Sequence, residues 1–156
     1  MGSNTTVDKV LIDTNVILDI VMRRMPHFDG SVAFLKLCTL QMPLMCVITA
    51  TQTKDIFFVL ERHGKKTADE AIEIIRCLTS HIEILDVNYQ DVEKALNSSV
   101  KDYEDAMIMF CAERHDVDYI VTRNERDFVG SPVQVLTPTE FLAKFEKSVK
   151  DWLSVF

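Results

Sequence analysis

The chain alternates two kinds of segment in a way that leaves few folds open to it. Short apolar runs of strand length are each followed by longer stretches with apolar residues at helical spacing. Residues 9–12, 44–48, 82–86 and 118–122 read as strands, with 133–136 as a candidate fifth. Between them, residues 14–22, 29 to about 40, 49 or 51 to 64, 67–80, 90–97 and 103–115 carry helical patterns. Thr137-Pro138-Thr139-Glu140 opens a last helix, with proline at the first helical position after a threonine cap. Strands joined through helices return to the same end of a sheet and pair parallel. The expected fold is therefore an α/β sandwich, three layers deep (α/β/α), around a mostly parallel central sheet.

At 156 residues the chain fits one domain with a substantial core, and 47% hydrophobic content suffices to fill it. Residues 9–146 form the expected domain, 1–8 a flexible N-terminus, and 147–156 an amphipathic tail with Val149, Trp152, Leu153 and Phe156 at helical spacing. No apolar run reaches the roughly 18 residues that span a bilayer. The first residues, Met-Gly-Ser-Asn-Thr-Thr, lack the basic-then-apolar plan of a signal peptide, so a cytoplasmic location is expected. Cys38, Cys46, Cys77 and Cys111 form no C-x-x-C pair and read as reduced core thiols. With 17 basic and 24 acidic residues the net charge is −7, which argues against an indiscriminate nucleic-acid coat. It leaves room for an acidic site that meets phosphate through a cation.

Four acids stand where strands end and helices begin: Asp13, Asp55, Asp105 and Asp127. In a parallel sheet, ligands gather beyond the carboxyl ends of the strands. Asp13 and the segment Thr122-Arg123-Asn124-Glu125-Arg126-Asp127 both follow strands; Asp55 and Asp105 sit near helix starts around the same edge. Each has a purely structural reading as well. Asp13 can cap a helix. Asp55 can belong to a solvated face. Asp102 can cap its helix with Asp105 as reciprocal partner, while Asp102 and Glu104 look like solvent residues that complement the helix dipole. Carboxylates gathered from distant parts of the chain repel one another unless a cation lies between them. Magnesium or manganese suits such oxygen donors, and Asp13, Asp105, Asp127 and Asn124 are the candidate metal-binding residues. Thr122 and Asn124 offer further polar contacts, and Arg123 and Arg126, with Arg23 and Arg24, are candidates to meet phosphate. Cys111 and His115 could seat only half a zinc site, and no nucleophile elbow or phosphate-cradling glycine loop is present.

Asp-Thr-Asn-Val at 13–16, Glu-Asp-Ala at 104–106 and Val-Thr-Arg-Asn-Glu-Arg-Asp-Phe at 121–128 give the chain a resemblance to the PIN-domain nucleases, including the VapC-like toxins of toxin–antitoxin pairs. The resemblance runs from about Lys9 to Phe145. It implies a magnesium- or manganese-dependent endoribonuclease in which Asp13 and Asp105 match two of the metal-binding acids. Asp55 falls where the family most often has Glu. Asn124 stands where many members have Asp, with Asp127 three residues on. It also implies an RNA substrate, an antitoxin partner and, by analogy, a homodimer. Two other readings compete. One is a PIN-like binding or interaction module whose catalysis is weakened at Asp55 and Asn124. The other is an aspartyl-phosphate domain, which would need an acid where Thr14 or Asn15 stands.

Overall fold

The computed structural model describes residues 7–39 and 44–153, with side chains through residue 146. The apolar tail residues Val149, Trp152, Leu153 and Phe156 therefore lie outside the described side chains, as do residues 1–6 of the N-terminal segment. Among the described residues no helix is long and apolar enough to cross a membrane.

Five strands form the sheet: β1 (Asp8–Ile12), β2 (Leu44–Thr49), β3 (Glu83–Leu85), β4 (Tyr119–Val121) and β5 (Gln134–Leu136). Their order is β3-β2-β1-β4-β5, and every pairing is parallel. The candidate fifth strand is present, and the sheet is parallel throughout rather than mostly so. β1 lies at the centre, with Val10, Leu11 and Ile12 essentially without solvent exposure. That explains its unbroken apolar run, because a strand covered on both faces has no polar side.

Alternation along β1 assigns the two layers. Val10 and Ile12 pack with Val16, Phe34, Ile56 and Leu60. These come from α1 (Thr14–Val21), α2 (Phe28–Thr39) and α3 (Ala50–Arg62), with α4 (Ala68–Thr79) and α7 (Pro138–Leu153) adding Ala71 and Phe141. Leu11 points the other way, into Val47, Met109, Ile120 and Phe128. That layer is α6 (Tyr103–Arg114), with α5 (Tyr89–Leu96) outside it. α6 is buried nearly all round because the sheet takes one side and α5 the other, through Ala95, Ala106 and Met107.

The helices start at the residues that could satisfy their open amides. Thr49 and Gln52, Thr67 and Glu70, and Asn88 and Asp91 each form reciprocal capping boxes. At α7 the Thr137 hydroxyl accepts from the Glu140 amide at 3.1 Å, as expected from the sequence. Asp91 has a second task. It is 1% exposed and takes a two-point contact from Arg114, Nε to Oδ1 at 2.9 Å and Nη2 to Oδ2 at 2.8 Å, which ties α5 to α6. Burial works against its charge, yet the Arg114 guanidinium and the Asn88 amide hold it below the ordinary carboxylate range.

Candidate active site

β1 and β4 are neighbours, so the residues that follow them meet at the carboxyl edge of the sheet. The Asp13 amide donates to the Val121 carbonyl at 2.9 Å and extends the ladder one residue past β1. The Thr122 hydroxyl donates to Asp13 Oδ2 at 2.8 Å and accepts from the Asn124 amide at 3.1 Å. Asp13 precedes α1, but its carboxylate makes no capping bond. It is 3% exposed, oriented by Thr122, and burial pushes its pKa up to about 6. The Thr122 hydroxyl, the Thr14 amide and Arg123 oppose that shift, while Asp127 adds to it.

Asp105 enters from the first turn of α6. Asp102 caps this helix, its Oδ1 accepting from Glu104 N at 2.9 Å and Asp105 N at 3.2 Å. The reciprocal half of that box does not form, which leaves the Asp105 carboxylate to the site. Burial first, then Asp13, Asp102, Asp127 and Glu104, push Asp105 up to about 7. Asp13, Asp105 and Asp127 thus share one electrostatic neighbourhood.

Asp55 stands apart from that group. Its side chain is 25% exposed, Lys54 Nζ lies 3.8 Å away, and its pKa is raised by burial with Lys54 opposing. The acid that faces it is Glu104, raised by burial and then by Asp55 and Asp102. Glu104 is exposed, as the sequence suggested, but it also links Asp55 to Asp105. Its position in the first turn of an acid-rich helix concealed this, because the helix dipole explains an acid there equally well.

The basic residues divide as well. Arg123 turns inward, its Nη1 lying 3.1 Å from Oδ1 of Asp19, a fully buried residue of α1. Neither oxygen of Asp19 accepts a hydrogen bond among the described residues. Burial raises the Asp19 pKa, with Arg123, His27 and Arg24 opposing. Asp19 was missed by sequence reasoning; the available signal was one acid inside the otherwise apolar run of α1. Arg126 is exposed and, with Lys101, Asp102 and Asp127, lines a recess of about 400 Å³ beside the acids. The segment Glu125–Phe128, read from sequence as a polar turn, is a single 3-10 turn anchored by buried Phe128.

Gln52 was also missed. It is fully buried, and its Nε2 donates to the Ile12 carbonyl at 2.8 Å and to Thr14 Oγ1 at 3.2 Å. Its Oε1 accepts from Thr49 N at 2.8 Å. One side chain therefore joins the ends of β1 and β2, at the residue before Asp13. A separate cleft of about 660 Å³ opens between α3, α5 and α6, with Asp55 and Glu104 among its lining residues.

Comparison with known sequences decides the family. The sequence profile of the PIN domain matches residues 9–126. The chain belongs to the PIN-domain family. The resemblance carried by the three motifs is thereby borne out, and so is the α/β fold class. No curated protein matches the chain. Solved structures share the fold at low identity. A chain of a toxin–antitoxin complex from Klebsiella pneumoniae is 23% identical, with a TM-score of 0.62 over 83% of this chain and 97% of that one. A chain of VapBC-1 from nontypeable Haemophilus influenzae is 16% identical, with a TM-score of 0.63 over 84% of this chain and 98% of that one. VapC20 of Mycobacterium tuberculosis, described as a Sarcin-Ricin loop cleaving toxin, is 11% identical, with a TM-score of 0.58 over 71% and 86%.

The donor chemistry of this PIN-domain site fits a hard divalent cation. Asp13, Asp105 and Asp127 offer carboxylate oxygens, and two of the three are pushed up by burial and mutual repulsion, which a cation relieves. Among the described residues no three His, Cys, Asp or Glu side chains lie close enough together to hold an ion on their own. Such a site suits a cation that retains part of its water shell, as magnesium does.

Proposed function

We infer that this PIN-domain protein is a magnesium- or manganese-dependent endoribonuclease and the toxin of a toxin–antitoxin pair. The observation that carries the reading is the buried Asp13 carboxylate, fixed by Thr122 and set among the charges of Asp105 and Asp127 at the carboxyl edge of the sheet. Asp13, Asp105 and Asp127, with the Asn124 amide oxygen, would hold the cation. When bound, the cation would offset charge on the phosphate and lower the pKa of a water, so that it loses its proton more readily as it attacks phosphorus. The chain does the positioning. Thr122 orients Asp13, and Gln52 fixes the strand end from which Asp13 projects. Arg126 and Lys101 border the acids and are placed to receive phosphates of the RNA backbone on that flank. Arg123, turned inward to Asp19, positions the loop.

The test is cleavage of single-stranded RNA in manganese by the unaltered protein and by Asp13→Asn. Cleavage that disappears in the variant is expected; equal cleavage by both would trace the activity to another protein and overturn the assignment. The displacement of Asp55 from the other three acids favours a second reading, a PIN-like binding module with weakened catalysis. Calorimetry separates the two, since a module without a metal centre shows no heat with millimolar manganese. An antitoxin partner is supported by the toxin–antitoxin complexes that share the fold. A homodimer is proposed on family analogy, and light scattering reads it directly.

A further inference from the structure

Two helices begin at one place, in the layer on the other side of the sheet from α6. The first turn of α2 and the threonine cap of α7 line a recess of about 330 Å³. Phe34 and Phe141, edge to face with ring centroids 5.3 Å apart, hold these two helices together. Arg123, His27, Gly30, Ser31, Thr137 and Thr139 line the recess, and none of its described lining residues is acidic. Carboxylates, in contrast, line both the recess beside Arg126 and the cleft at Asp55. Each helix start adds the positive end of a dipole, about half a unit charge. Ser31 is 1% exposed, and its hydroxyl makes no hydrogen bond to the described residues. The orphaned side-chain atoms sealed from solvent among these residues are the two Asp19 oxygens, so the Ser31 hydroxyl opens on the recess. The Gly30 and Thr139 amides likewise donate to no acceptor among the described residues. A β-carbon at Gly30 would meet nothing nearer than Thr139 Oγ1 at 3.7 Å, so packing does not require the space the glycine leaves.

Resting on the nuclease reading above, we propose that this recess binds a phosphate group of the RNA strand, one that the acidic centre does not cut. Its wall is made of donors: the Arg123 guanidinium, the His27 ring, the Ser31 and Thr139 hydroxyls and two helix-start amides. A phosphate answers that set with several acceptor oxygens and no apolar face. A peptide carboxylate offers only two oxygens in one plane, and an apolar segment would leave the arginine and the serine without partners. Asp19 is fully buried, does not line the recess and lies 3.1 Å from Arg123 Nη1. It fixes the arginine and offsets its charge, so the recess works through directed donors rather than through surplus charge. Arg123 directly follows Thr122, whose hydroxyl holds Asp13, which places the recess and the acids on one loop. The recess of Lys101 and Arg126 lies on the α6 side of the same loop. A strand held in both crosses the sheet edge where the acids stand.

The experiment uses the full chain in chelator, so that no cation carries phosphate to the acids, and in the Asp13→Asn background, so that RNA is not cut. Inorganic phosphate is expected to move the amide resonances of Gly30, Ser31 and Thr139, and potassium chloride of equal ionic strength is expected not to. Arg123→Gln would leave Asp19 buried and unpaired, so two gentler variants carry the test. Ser31→Ala removes a hydroxyl that has no partner among the described residues, so its melting temperature is expected to equal the parent's or exceed it. Its affinity for phosphate and for single-stranded RNA is expected to fall by about fivefold. Gly30→Asp suits a helix start and puts a carboxylate into the recess. It is expected to abolish the phosphate shifts and to lower the slope of log RNA affinity against log salt by about 0.7, the share of one phosphate on a single strand. Amides that phosphate does not move, or variants that bind it as the parent does, overturn the recess. Phosphate shifts with RNA affinity unchanged in both variants overturn the assignment to the strand in favour of free phosphate. An oligoglutamate that moves the same amides as strongly as RNA of equal length overturns it in favour of an acidic peptide. Absent manganese-dependent cleavage by the unaltered protein, alongside RNA binding that both variants weaken, overturns the nuclease reading and leaves the recess standing.

Discussion

Asp105→Asn tests whether the acids are held together against their own repulsion. In the folded chain the Asp105 carboxyl is pushed from an ordinary 3.8 up to about 7, by burial first and then by Asp13, Asp102, Asp127 and Glu104. Between those two values the metal-free folded chain holds a proton that the unfolded chain has released. Stability therefore falls as pH rises through the window and stays low above it. At about 1.4 kcal/mol per pH unit the window corresponds to about 4 kcal/mol. Solvent around this half-buried side chain screens roughly half of that, leaving about 2 kcal/mol. The amide keeps the shape of the side chain and removes its charge. The variant is expected to be about 2 kcal/mol more stable than its parent near pH 8 in chelator, with the gain vanishing as the pH falls toward about 4. Urea melts followed by circular dichroism at both ends of the range measure this difference. Manganese is expected to reverse the ranking, because a cation that binds only the folded cluster stabilises the parent more than the variant. A variant less stable than its parent at both pH values would refute the reasoning. The carboxylate would then be held by favourable contacts that Asn cannot reproduce.

Other consequences are as specific. Arg114→Leu leaves the 1%-exposed Asp91 charged and without its guanidinium, so a loss of about 3 kcal/mol in chemical denaturation is expected. The double variant with Asp91→Leu is expected to recover much of it, and a single variant as stable as the parent would contradict the burial argument. Gln52→Leu removes three hydrogen bonds under Asp13 and leaves the Ile12 carbonyl and Thr49 amide unsatisfied, a loss of about 2–4 kcal/mol by urea melt. Ribonuclease activity per folded molecule is expected to fall with it, because the strand end that carries Asp13 loses its brace. At Gly64 a β-carbon would lie 2.7 Å from the Leu60 carbonyl oxygen, which is backbone and cannot swing aside. Gly64→Ala is expected to lower the melting temperature, with a stability loss of about 1–2 kcal/mol.

The elements of this fold could be read from periodicity because each does what its pattern advertises. β1 is apolar without alternation because both faces are covered, and α6 is apolar nearly all round because it lies between the sheet and α5. The 3-10 turn at Glu125–Phe128 escaped the same reading. Four residues are too few to show a period, and its single anchor, Phe128, looks from sequence like the end of a polar loop. At the site, Asp13 and Thr122 could be expected to meet once their strands were taken as parallel neighbours. The relation of Asp55 to the others could not, since it depends on how far α3 leans over the edge, and helical spacing carries no information on tilt. Glu104 was obscured by a sufficient alternative explanation. Arg123 and Asp19 lie 104 positions apart in sequence, and nothing local to either announces the pair.

The position of β1 in the sheet bears on when the acids can meet at all. Of the five strands described it is made first, yet its partners are β2, beginning at Leu44, and β4, beginning at Tyr119. Until Tyr119–Thr122 has been synthesised and docked, Asp13 lacks both its ladder bond to Val121 and the Thr122 hydroxyl, and Asp127 comes later still. A nascent chain therefore carries Asp13 without an assembled centre around it while residues 14–122 are made. Whatever hydrolytic capacity the carboxylates confer is withheld from the translating ribosome and its message until Asp127 has followed Thr122 into place.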